Sequence, residues 1–231
     1  MKKLITLLLA AALITSAPLM ARWGQGWGGW QGGQQNQTTA NLTIAEEQHL
    51  TFMREEEKLA RDVYIVFSQM YPRSRAFGRI DDSEQKHTDA VKKLLDKYDV
   101  VDPSTNDNVG VFTGAEYSEY FTEKFNEFVT KGEMSVLDAM YVGAFIEELD
   151  MIDINYCNQQ ILDANVELYT RDDCGLKSTD RADVQRTLNN LLNGSRNHLR
   201  AYVNQIERHI GYGNYEAQLL PQEEVDEILG R

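Results

Sequence analysis

Four stretches of this chain each place a metal-ligating residue type inside an otherwise apolar stripe. Glu57 has Tyr64 seven residues on. Glu84 and His87 form a Glu-x-x-His pair. Glu147 and Glu148 lie in an apolar run, and His198 lies in the last long periodic stretch. Carboxylates and imidazoles are expensive to bury unless they are paired or bind a metal. One bound pair of cations would satisfy all of these groups together. Iron, manganese and zinc all accept this mix of donors, and the available geometry decides among them. Two ions are expected if the ligand set is complete.

The stripes define the elements that must hold these groups. Spacings of three and four mark one face of a helix. The first stripe is Leu50, Met53, Glu57, Ala60, Tyr64, Phe67 and Tyr71. The second is Ile80, Glu84, His87, Val91, Leu94 and Tyr98. The last is Val184, Leu188, Leu191, Ser195, His198, Tyr202 and Gln205. Each is apolar at its ends and polar in the middle. Residues three apart share a helix face, so Glu84 and His87 can hold one ion or bridge two. A surface ion pair would use the same spacing, but Ile80 and Val91 turn this one inward. Tyr64 shares a face with Glu57, where its hydroxyl could reach a ligand carboxylate on a neighbouring helix.

The third element is ambiguous. Leu137, Tyr141, Ala144 and Met151 select Glu148. Val136, Met140, Gly143, Asp150 and Ile154 select Glu147, with Asp150 as an outer neighbour. His49 and His209 sit near segment ends and carry no such signal.

Boundary signals frame the helices. Thr43 starts the first with a capping-box pattern, and Pro72 ends it. Asp82 or Ser83 is a candidate cap for the second, Ser135 for the third, and Thr179 or Asp180 for the last. An aromatic helix over 115–130 bridges the second and third as part of a long crossover. Pro221 opens a short C-terminal helix over 222–229. Alternating β-type runs are absent. The fold class is therefore all-α, an up-down four-helix bundle.

Residues 1–21, with Lys2, Lys3 and an uncharged apolar run, have the layout of a secretory signal peptide or an uncleaved anchor. Residues 22–41 form a linker rich in Gly, Gln and Trp. Residues 42–231 form one domain. The chain is expected to be exported, periplasmic or secreted. A membrane contact is expected only through an uncleaved N-terminus or the tryptophan arm. Cys157 and Cys174, the two cysteines, are then candidates for a disulfide. The net charge of −13 excludes nucleic acid as a partner; metal ions are the expected one.

The strings Met53–Tyr64, Ser83–His87, Ile146–Asp150 and Gly194–Arg200 resemble the uncharacterised DUF2202 family, placed in the ferritin-like superfamily. The likeness spans about residues 42–230. It implies a di-iron carboxylate type of bundle. Glu57 with Tyr64 would be the first-helix glutamate and tyrosine, Glu84 and His87 the second-helix pair, and Glu147 or Glu148 the third-helix glutamate. On the fourth helix the usual Glu-x-x-His reads Ser195-Arg196-Asn197-His198, so the second ion or the bridging carboxylate lacks its customary ligand. Two functions follow as expectations. One is a di-metal oxidoreductase acting on dioxygen, peroxide or Fe(II). The other is a non-catalytic metal-binding or structural module of the cell envelope.

Overall fold

The structure, a computed structural model, describes residues 41–231 apart from Arg75, Val166 and Tyr169. The expected leader and tryptophan arm lie outside the described residues. Among the described residues there are helices and loops and no strands. Four long helices make a bundle: α1 (Ile44–Met70), α2 (Phe77–Lys97), α4 (Val136–Asn155) and α7 (Ala182–Ile210). The crossover helix α3 (Ser118–Gly132) packs on α1 and α4. Short helices α5 (Gln159–Ala164) and α6 (Gly175–Ser178), with a 3-10 turn over Arg171–Asp173, fill the α4–α7 connection. The chain ends with α8 (Gln222–Leu229). Helix α1 packs mainly on α2, and α4 on α7. No helix among the described residues is long and apolar enough to cross a membrane.

Helix α1 is buried on every side, from Phe52 through Tyr64. That is possible for so charged a sequence because most charged groups on its outer face find partners, chiefly in the crossover. Arg54 Nε pairs with Asp102 at 3.0 Å. Glu55 accepts from the N–H groups of Thr113 (3.0 Å) and Gly114 (2.9 Å). Lys58 pairs with Asp62 and donates to the Asn108 carbonyl, and Asp62 also accepts from the Gly110 N–H at 2.9 Å. Arg61 reaches Gln85 on α2 at 2.7 Å. These charged contacts fasten the long crossover to the bundle, and they leave Glu56, Glu57 and Tyr64 to face inward.

The capping box at Thr43 forms with Glu46 as the pattern predicts. Ser135 caps α4 by accepting from the Asp138 N–H. Two starts differ from expectation. Helix α2 begins at Phe77, so Asp82 and Ser83 lie inside it. Burial of Phe77 against Phe67 and Tyr202 extends the helix past the polar cap signal. Helix α7 begins at Ala182, later than Thr179 or Asp180; the Thr179 hydroxyl donates to Glu46 of α1 at 2.6 Å and accepts from the Arg181 N–H just ahead of the helix. Cys157 and Cys174 are joined in a disulfide that closes the α4–α7 excursion.

Candidate metal centre

Five of the sequence-predicted groups converge at mid-height between α1, α2, α4 and α7. Glu57, Glu84 and His87 offer ligand atoms within 4.8 Å of one another, and Glu84, Glu147 and His198 do the same. Glu84 belongs to both trios. Its Oε2 lies 2.7 Å from His87 Nδ1 and its Oε1 lies 2.7 Å from His198 Nδ1. Glu57 Oε2 flanks His87 Nδ1 at 3.2 Å, and Glu147 Oε2 flanks His198 Nδ1 at 3.4 Å. The two imidazoles stack with centroids 5.5 Å apart. The arrangement is nearly symmetric about the Glu84 carboxylate.

Local sequence explains the placement. The three-residue spacing puts Glu84 and His87 on one face of α2. The ring of His87 rests on α7 at Gly194, where a Cβ would come within 2.5 Å of Nε2. Gly143 plays the same part on α4, where a Cβ would lie 2.7 Å from the Tyr202 ring. Tyr64 donates from α1 to Glu147 Oε1 at 2.6 Å, the contact its position on the stripe suggested.

Glu148 does not join this group. Its carboxylate accepts from the Tyr215 hydroxyl (2.8 Å) and from the N–H groups of Gln218, Leu219 and Leu220 (2.9, 2.6 and 2.9 Å). The two periodic readings of α4 could not be separated because both faces of the helix are buried. One meets the bundle axis, the other the loop before α8. At the fourth-helix position, Ser195 donates to Asp150 of α4 and to the Leu191 carbonyl. A carboxylate thus stands beside the position where the customary glutamate is missing, but it comes from another helix.

The electrostatics are those of a crowded anionic site. Burial raises the Glu57 carboxyl to about 7, although His87 opposes it. Burial also disfavours charge on Glu84, but the close approach of the His198 and His87 imidazoles outweighs it and holds Glu84 down to about 2. For the imidazoles burial works against the charged form. The neighbouring carboxylates win, raising His87 to about 12 and His198 to about 10. Without an ion, protons on these histidines neutralise the carboxylates.

The donor set suits a metal better than it suits hydrogen bonding. Glu57 Oε1, Glu84 Oε1 and His198 Nδ1 are all buried without a hydrogen-bond partner. The last two are close yet not aligned as donor and acceptor, as expected of atoms that share a third partner. Mixed carboxylate and imidazole donors fit iron, manganese or zinc.

Sequence reasoning missed Glu56 and Asp153, two further buried carboxyls between α1 and α4. The available signal was the row Glu147, Asp150, Asp153 at intervals of three along α4.

Comparison with known proteins agrees with this architecture. Residues 46–231 match the family described as "Uncharacterized protein domain (DUF2202)". The uncharacterized protein MJ0754 of Methanocaldococcus jannaschii is 40% identical over 189 residues, covering 81% of this chain and 88% of that protein. The crystal structure of hypothetical protein MJ0754 from Methanococcus jannaschii superposes with a TM-score of 0.66 at 37% identity. It covers 83% of this chain and 97% of that one. A family match over most of the chain, joined to a relative of this identity and coverage, shows that the chain belongs to the DUF2202 family.

Proposed function

We propose that this protein is an exported, ferritin-like metal-binding protein whose bundle holds two iron ions, or two manganese ions, and acts as an oxidoreductase on dioxygen, peroxide or Fe(II); zinc would suit the same donors only as a bound, non-redox ion. The observation that carries the reading is Glu84, which presents one carboxylate oxygen to each histidine at 2.7 Å. A carboxylate so placed can bridge two ions. Glu57 and His87 would complete one side, and Glu147 and His198 the other. Bound redox ions would supply the electron transfer that no side chain here supplies.

The chain's own residues have definite tasks. Three carboxylates set a charge that favours dications. Tyr64 orients Glu147 by its hydroxyl, and Gly194 sets the plane of His87. The surrounding apolar helices restrict water. Ion uptake must displace protons from His87 and His198, so affinity rises with pH. The apolar leader and the Cys157–Cys174 disulfide support export.

Ser195 favours a second reading, since its side fields no fourth-helix carboxylate: a binding module that sequesters metal without turnover. Elemental analysis of the purified chain, oxygen uptake during Fe(II) addition and peroxide consumption test both readings. About two ions per chain with turnover is the expected result. Stoichiometric binding without turnover supports the module. A chain that binds none of these ions overturns both readings.

A further inference from the structure

Glu147, Asp150 and Asp153 repeat at intervals of three along α4, and all three are buried. At the rise of an α-helix each step is ~4.5 Å. Facing them from α1 is Glu56, also buried, with its carboxyl within hydrogen-bond reach of Asp153. Asp153 is held by Asn158 Nδ2 at 2.7 Å and lies in the wall of an open cleft of about 460 Å³, beside Tyr120, Asn158 and Arg171. The row therefore begins at the surface and ends on Glu147, within the candidate metal centre.

Two of its oxygens have no role in the fold. Glu56 Oε2 and Asp150 Oδ1 are buried with no hydrogen-bond partner. Neither residue belongs to the two trios around Glu84. Leaving such groups desolvated and unpaired is destabilising. The serine at position 195 engages Asp150 through Oδ2 and leaves Oδ1 free.

We propose that Asp153, Glu56 and Asp150 line a route along which divalent cations pass from the cleft to the Glu84-centred site. This rests on the reading of that site as a metal centre. A dication stripped of water inside a protein needs replacement oxygen ligands at each step. Carboxylates a helical turn apart supply them, yet are too widely strung to trap the ion as a closed ligand set would. Of the cationic side chains at the mouth, Lys124 pairs with Glu127 at 2.9 Å, and Arg171 lies over the Tyr156 ring at 4.1 Å while its charge also favours the ionised form of Asp153, the first carboxylate of the row. The competing way in is the α2–α7 seam, where the His87 and His198 side chains are 12% and 9% exposed.

Rapid mixing of metal-free full-length chain with Co(II), followed by its ligand-field absorption, tests the route. Asp153→Asn and Glu56→Gln are expected to slow loading by about tenfold and to reach the wild-type end point. Asn158→Ala, which leaves every carboxyl in place, is expected to slow it less. A thermal melt checks that each variant is folded. Unchanged loading rates overturn the route in favour of the seam. A lowered end point overturns it as well, because the residues would then be ligands. If the wild-type chain takes up no Co(II), it is the metal-centre reading that falls, and the route falls with it.

Discussion

Glu147 and Glu148 are neighbours on one helix, 2% and 0% exposed, and they have opposite fates. Glu148 is enclosed by four donors of the chain itself, three of them backbone N–H groups before α8. Glu147 receives one neutral hydroxyl from Tyr64 and otherwise faces His198 and Glu84. Burial therefore does not distinguish a ligand from a structural carboxylate. What distinguishes them is whether the fold has already supplied the partners. Asp62 stands with Glu148, both of its oxygens engaged by Lys58, Arg61 and the Gly110 N–H, while Glu55 falls between the two kinds, one oxygen accepting from Thr113 and Gly114 and the other unpartnered. Glu57 and Glu84 stand with Glu147, each keeping an unpartnered oxygen.

Removing one carboxylate of each kind should give opposite results. Glu84→Ala takes a shared ligand from both trios, so metal content should fall from about two ions per chain to none, with helicity by circular dichroism retained. Glu148→Ala should do the reverse. It strands the N–H groups of Gln218, Leu219 and Leu220, and denaturant melts should show a loss of ~3–5 kcal/mol. Metal per folded chain should not change. Equal metal loss in both variants would erase the distinction.

The histidines repeat the contrast. His87 and His198 lie among carboxylates and are held charged. His49 is buried against one neutral acceptor, the Asp153 carbonyl at 2.7 Å. Burial lowers it to about 4, with that hydrogen bond only partly opposing. Between pH 6.5 and 4 the unfolded chain binds a proton that the folded chain refuses. The stability from a neutral His49 is thus fully present above pH 6.5 and is lost as pH falls through about 4. The shift corresponds to ~3 kcal/mol. His49→Gln keeps a donor for the carbonyl and should flatten the acid limb of stability between those limits. An unaltered limb would mean that His49 is not the group responsible.

The long helices were legible in the sequence because their stripes carry period and burial together. Glu57, Glu84, His87 and His198 were legible for the same reason: each interrupts an apolar stripe on a helix with a polar opposite face. Glu147 and Glu148 were not separable, because α4 is enclosed on nearly all sides and periodicity vanishes when no face meets water. Glu56 was hidden inside Glu55-Glu56-Glu57, three like residues that face the crossover, α4 and the metal centre respectively. Only the tertiary partners tell them apart. Starts of helices were misplaced where tertiary contacts outweighed local capping, as at Phe77.

The gentlest test concerns Tyr64. Its hydroxyl contacts Glu147 Oε1 at 2.6 Å and the Gly143 carbonyl at 3.3 Å, and its ring packs against Tyr202. Tyr64→Phe keeps that packing and removes only the group that orients the carboxylate. A residue acting through a ligand typically changes metal affinity by ~10–100-fold, and the low end is expected here, because Glu147 also faces His198. Metal content at saturation should stay the same while a chelator competition reads the weaker binding. The same substitution should leave the Glu148 side of α4 untouched, so stability lost beyond ~1 kcal/mol would show that the hydroxyl serves the fold rather than the site.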